Sequence, residues 1–281
     1  MYNSYWFLAL IISSFITFCF ILLKKRNTES LFLLLTMIGF GFIIETVIFN
    51  FLGSYDYNPN FIKHNSFYDN NLGAFASNAF ALPVIATLIA TFHLSWIWLF
   101  LFSGLFVGIE WLFLKLNIYS HNWWRLAYTG FGLPFYFATA YIFRNWIVHP
   151  VNEIKHFLQL YLIIGSISCS LQILPIIFLS NRVYTPGWFE DQGRDSIALA
   201  AIFYLCATLY YCLIIKVNWK MKWVKYALTG VLMYTVDQVL ISLDLLHSLV
   251  WWDQMYYVCL SLLLILLTGI IDRRLSQITL E

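Results

Sequence analysis

Charge is what this sequence has least of. Only 11% of its 281 residues are Asp, Glu, Lys or Arg, whereas 61% are hydrophobic. Soluble domains carry about 25% charged residues, so a water-soluble globular fold is excluded and an integral membrane protein is indicated. A net charge of +2 leaves no electrostatic footprint for nucleic acid. Cysteine is scarce as well: Cys19, Cys169, Cys206, Cys212 and Cys259 all fall in apolar runs, and no pair has metal-ligand spacing. They read as small core residues, with neither a disulfide framework nor a metal site expected. The histidines, at 64, 93, 121, 149, 156 and 247, are scattered, which excludes the His-rich boxes of membrane di-iron enzymes. No glycine-rich phosphate loop or dinucleotide fingerprint occurs, so no cofactor is expected.

What is present is a series of apolar runs. A spanning helix needs about 20 mostly apolar residues, and nine runs qualify: 5–23, 31–52, 73–92, 94–116, 126–143, 157–179, 196–216, 224–246 and 255–271. The first is followed by Lys24, Lys25 and Arg26. A signal peptide carries its positive charge before the apolar run, so this one reads as a retained helix. Only residues 91–95 separate the third and fourth runs, and Gly130-Phe-Gly-Leu-Pro134 is the one candidate break inside a helix. With the amino terminus outside, eleven basic residues face the cytoplasm and five, Arg182 among them, face outward. That bias predicts amino terminus out and carboxyl terminus in. No loop is long enough for a soluble domain. The expectation is an all-α polytopic bundle, a single domain over 1–281, multi-pass in a cell membrane and surrounded by its lipids. The outer loops mix Tyr and Trp with Asn, Asp and His, as an aromatic belt does.

Four acids fall inside the runs: Glu45, Glu110, Asp237 and Asp244. A charged carboxylate at bilayer depth costs roughly 2.5–3.5 kcal/mol on insertion scales. At 1.5 Å per residue, Glu45, Glu110 and Asp237 lie roughly 10, 9 and 13 Å below their outer ends. Matched depth on three helices predicts one shared pocket, with Asp244 seven residues from Asp237 on the same face. No basic residue is expected at that depth. Such acids are held neutral by burial and are able to donate protons in an apolar pocket. An alkene protonated there becomes a carbocation, which aromatic faces stabilise.

The run E-x7-G-x-Y-x-Y-N-P, spelled by Glu45, Gly53, Tyr55, Tyr57, Asn58 and Pro59, resembles a segment of integral-membrane carotenoid-biosynthesis proteins. Small bacterial lycopene cyclases carry a similar acid, Leu-Gly, aromatic and Asn-Pro run, and carotenoid hydratases a similar Glu and Gly-x-Tyr-x-Tyr. Leu72-Gly73 and Leu82-Pro83 follow in comparable order, and residues 109–113 are similar to the Glu-Glu-Trp-Leu-Phe run of the cyclases. Where the cyclases have Pro-Leu-Glu-Glu, Pro83 here is followed by Val84, Ile85 and Ala86. The resemblance implies a terpene-cyclase-like isomerase or lyase of the bacterial plasma membrane. It would act on an isoprenoid or polyene lipid, with Glu45, Glu110 and Asp237 catalytic and Tyr55, Tyr57, Asn58, Trp111 and Asp244 contacting substrate. The same acids would also serve a proton-coupled transporter, although no inverted repeat is found. A multi-pass protein without chemistry is the remaining alternative.

Overall fold

A computed structural model describes residues 3–149 and 151–278. Seven of its helices are long and apolar enough to cross a membrane, making this a helical multi-pass membrane protein. The chain forms two compact units, one running to Asn152 and one from Glu153 to Gln277.

The first unit opens with α1 (Ser4–Lys25). The next span is α2 (Glu29–Glu45), continued by a π-helical segment over Thr46–Phe51. A short strand, β1 (Tyr55–Tyr57), leads to a third span. It consists of α3 (Ser66–Phe75), a second π-helical segment over Ala76–Ala81, and α4 (Leu82–Thr91). Helix α5 (Trp96–Lys115), strand β2 (Tyr119–His121) and helix α6 (Leu126–Val148) complete it. The third span begins seven residues earlier than hydropathy indicates, because Asn65 caps it by accepting from the Tyr68 N–H at 2.9 Å. Helix α6 runs unbroken through Pro134; neighbouring helices let spanning segments tolerate proline. Among the described residues the spans depart from α-helical bonding at two π-helical segments, a feature often found at functional sites.

The second unit repeats the plan without an α1 counterpart: α7 (Glu153–Leu179), β3 (Arg182–Tyr184), α8 (Gln192–Lys216), α9 (Val224–Ser242), β4 (Leu246–Ser248) and α10 (Asp253–Ile278). In the first unit Tyr55 pairs with His121 and Tyr57 with Tyr119. In the second, Arg182 pairs with Ser248 and Tyr184 with Leu246, so an offset of 127 relates both registers. The turns repeat as well. Left-handed backbone occurs at Gly53, Asn60 and Asn117, and again at Ser180, Gly187 and Asp244. Asp69 accepts from the backbone N–H groups of Asn60, Phe61 and Ile62 at 2.7–2.8 Å. Asp195 does the same for Gly187, Trp188 and Phe189 at 2.7–3.1 Å. Each carboxylate thereby satisfies three donors that the turn would otherwise orphan. The two copies run in the same sequence order.

Asp244 does not lie in a helix. Helix α9 ends at Ser242, and Asp244 occupies the turn into β4, with its side chain 91% exposed. Aspartate tolerates the left-handed conformation that this reversal needs.

Candidate acid pocket in the first unit

Gly53, at φ 55°, releases the chain from the second span. A residue with a Cβ enters that region at a cost, whereas glycine does so freely. The carbonyl of Ser54 then accepts the backbone N–H groups of Asn122, Trp123 and Trp124 at 3.0–3.3 Å. These bonds bring β1 and β2 together and turn Tyr55, Tyr57 and Tyr119 into the end of the bundle, with ring centroids 4.8–5.5 Å apart. Asn70 fixes β1 from the third span, its side chain accepting from the Tyr57 N–H at 2.7 Å and donating to Asp56 at 2.6 Å. Helix α3 approaches so closely that a Cβ on Gly73 would stand 2.3 Å from the Tyr57 Cβ.

Beneath this aromatic cover lies a cavity of about 260 Å³. Its walls are chiefly apolar and aromatic, including Phe7, Phe106, Phe113, Tyr119, Trp124 and Tyr136, with Glu45 and Glu110 both at its surface. Both π-helical segments border it, through Ile48 and through Ser77 and Asn78.

Glu45 is 8% exposed. The Tyr55 hydroxyl donates to its Oε2 at 2.8 Å. Burial, and then the neighbouring Glu45 carboxyl, hold the Tyr55 hydroxyl well above the usual phenol range, so it keeps its proton as a donor. Asn78 approaches the carboxyl closely enough to interact as a hydrogen-bonding side chain, while the bond its amide completes is to the Ala74 carbonyl at 3.2 Å. Oε1 is buried with no hydrogen-bond partner among the described residues. Glu110 meets the ring of His121, Nε2 to Oε1 at 2.7 Å. The expectation of acids without a basic neighbour therefore fails at Glu110, because β2 folds His121 back from the loop onto α5.

It fails more completely at Asp237. That acid belongs to the second unit, where Arg182 Nη2 donates to its Oδ2 at 3.1 Å. Asp253 takes the same guanidinium at Nη2 and Nε, at 2.8–3.1 Å, and the Tyr257 ring lies 3.4 Å from Arg182 Cζ. Arg182 is wholly buried and not the outward-facing loop charge expected. Strand β3 carries it inward, as β1 carries Tyr55.

Of the other residues singled out by sequence, Tyr55 and Tyr57 line the cavity. Asn58 is exposed; its N–H donates to the Ile118 carbonyl and its own carbonyl accepts from Asn3, both at 2.8 Å. Trp111 is 52% exposed, with Lys115 over its ring, as an interfacial anchor is placed. Asp244 lies in its exposed turn. His121, Ser77, Asn78 and Tyr136 were missed, and only the repeat could have flagged the inward strands. Its visible trace is Tyr57-Asn-Pro59 against Tyr184-Thr-Pro186.

Fold and site define a multi-pass helical membrane protein with a buried acid facing an aromatic cavity. No family model, no curated protein and no solved structure matches the chain.

Proposed function

We propose that the first unit is an acid catalyst that protonates a C=C bond of an isoprenoid or carotenoid-like lipid, as a cyclase, isomerase or hydratase does, without redox change. The observation that carries this reading is the unpartnered Oε1 of Glu45 at the cavity, with its twin oxygen held by Tyr55. With Oε2 accepting from Tyr55, Oε1 is the oxygen left to bear the acid proton. Transfer of that proton to one alkene carbon uses the π pair to form the C–H bond. It leaves a cation on the other carbon and a carboxylate on Glu45. The aromatic walls stabilise the cation and exclude competing water. A neighbouring C–H then loses its proton to the Glu110–His121 pair, or water adds to the cation and loses one there. One proton enters and one leaves.

The chain crosses a cell membrane nine times on this reading, once by α1 and four times in each unit, with the amino terminus out. Helices α6 and α9 complete the count despite Thr, Tyr, Gly and Gln that lower their hydropathy. The terminal residues 1–2 and 279–281 lie outside the described residues. Cysteines introduced at 60 and 187 should label from outside and one at 220 should not; labelling of 220 from outside reverses the orientation.

The decisive variant is Glu45→Gln, which keeps shape and hydrogen bonding but removes the acid proton. Turnover, read by mass spectrometry of extracted isoprenoid lipids, should fall at least about 100-fold, the low end for general acid catalysis. Near-normal turnover in a well-inserted variant ends the acid-catalyst reading.

A further inference from the structure

The cavity is too small to enclose a long polyene, and the seam between α2 and α6 indicates how one end of such a chain reaches it. Toward the inner end the seam is shut. The Tyr136 hydroxyl donates to the Met37 carbonyl at 2.9 Å, and its ring stacks on Phe40 at 5.9 Å. A Cβ on Gly41 would stand 3.4 Å from the same hydroxyl. One turn outward on each helix, residues i and i+4 share a face, which sets Gly132 of α6 level with Ile44 of α2. There the seam changes character. Gly132 lines the cavity, is itself exposed, and has nothing within 4 Å of where a Cβ would stand. Its neighbours Phe131 and Phe135 are 74% and 73% exposed, an apolar surface suited to acyl chains and not to water.

We infer that an apolar chain enters the cavity sideways from the bilayer between α2 and α6, with Gly132 as the sill of the opening. This rests on the reading of the pocket as a lipid site and adds its route: the reacting end passes Gly132 while the remainder of the chain stays in lipid. The missing side chain is what keeps the route open, so residue 132 also limits the width of the chain admitted.

The test uses the full-length protein in membranes containing a fatty acid with a diazirine near its methyl end. Photolysis is followed by mass-spectrometric mapping of adducts. In the wild type, adducts are expected on the outward Phe131 and Phe135 and on interior Leu133 and Phe113, which are buried and line the cavity. Gly132→Trp should lose the interior adducts and keep the outward ones, while Gly132→Ala, whose methyl fits the open space, should keep both. Gly108→Leu is the control, since Gly108 is equally open and exposed but does not line the cavity; it should label as wild type. Interior adducts that persist in Gly132→Trp overturn the route, as does their absence from the wild type. Loss of the outward pattern marks misfolding, and Gly132→Leu then takes the place of the Trp variant under the same criteria. The readout needs no turnover. Interior labelling retained in a Glu45→Gln protein that still turns over leaves the route standing and removes the acid.

Discussion

The two units carry opposite chemistry on one backbone plan. At the first position of the inner strand, unit one has Tyr55 and unit two Arg182. At equivalent positions of the helix before the second strand are Glu110 and Asp237, again 127 residues apart; Asp237 meets Arg182, whereas Glu110 meets His121. The phenol of Tyr55 supplies one hydrogen bond and leaves a cavity with an unpartnered carboxyl oxygen beside it. The guanidinium of Arg182 supplies donors to two aspartates and one tyrosine. A planar cation with five donors completes a buried network. A phenol with one donor leaves part of it unpaired. The comparison teaches that the turns and caps set the plan, while one inward side chain decides whether the site is closed by the protein itself.

The largest effect is expected from breaking the closed version. Arg182→Leu strands Asp237 and Asp253, both fully buried, and should cost about 3–5 kcal/mol in detergent unfolding, as loss of one partner of a buried ion pair does. Stability within 1 kcal/mol of wild type, a margin of roughly one ordinary hydrogen bond, would show that the cluster carries no such burden. The shared plan is sharpened by Asp69→Asn and Asp195→Asn. Each removes charge from three backbone hydrogen bonds, and each should cost about 1.5–3 kcal/mol by the same measurement. A pair of values differing severalfold would mean that the two turns are alike in shape but not in energy. Tyr55→Phe should be milder for stability, about 1 kcal/mol for a single lost hydrogen bond, yet should lower turnover because Glu45 loses the donor that orients it. Turnover equal to wild type would remove Tyr55 from the proposed machinery. Smallest of all is Asp244→Asn. Its side chain is solvent-exposed, so stability should stay within about 0.5 kcal/mol and turnover should be unchanged.

Much of this was legible in the chain itself. The apolar runs locate the helices, with ends displaced by as much as seven residues, because lipid demands about 20 apolar residues and an internally bonded backbone. The turn at 91–95 and the role of Gly53 were readable for similarly local reasons. Glu45 was marked by its cost: an acid in an apolar run needs a reason to be there. Asp244 was misread because hydropathy does not see a helix end when apolar residues continue past it. Arg182 was misread because positive charge counts as outward-facing unless the chain folds back, and nothing local says that β3 does.

Composition and periodicity by themselves determined that this protein lies in a membrane, where its helices run, and which acids are costly. These are properties of single segments and their solvent. Tertiary structure alone decided that Glu45 and Glu110 meet one cavity, that His121 reaches Glu110, and that Asp237 is spoken for by Arg182. The last two depend on short strands turned inward, across separations of 11 and 55 residues. Along such distances no local propensity acts, and only the packing of one helix end against another brings the partners together.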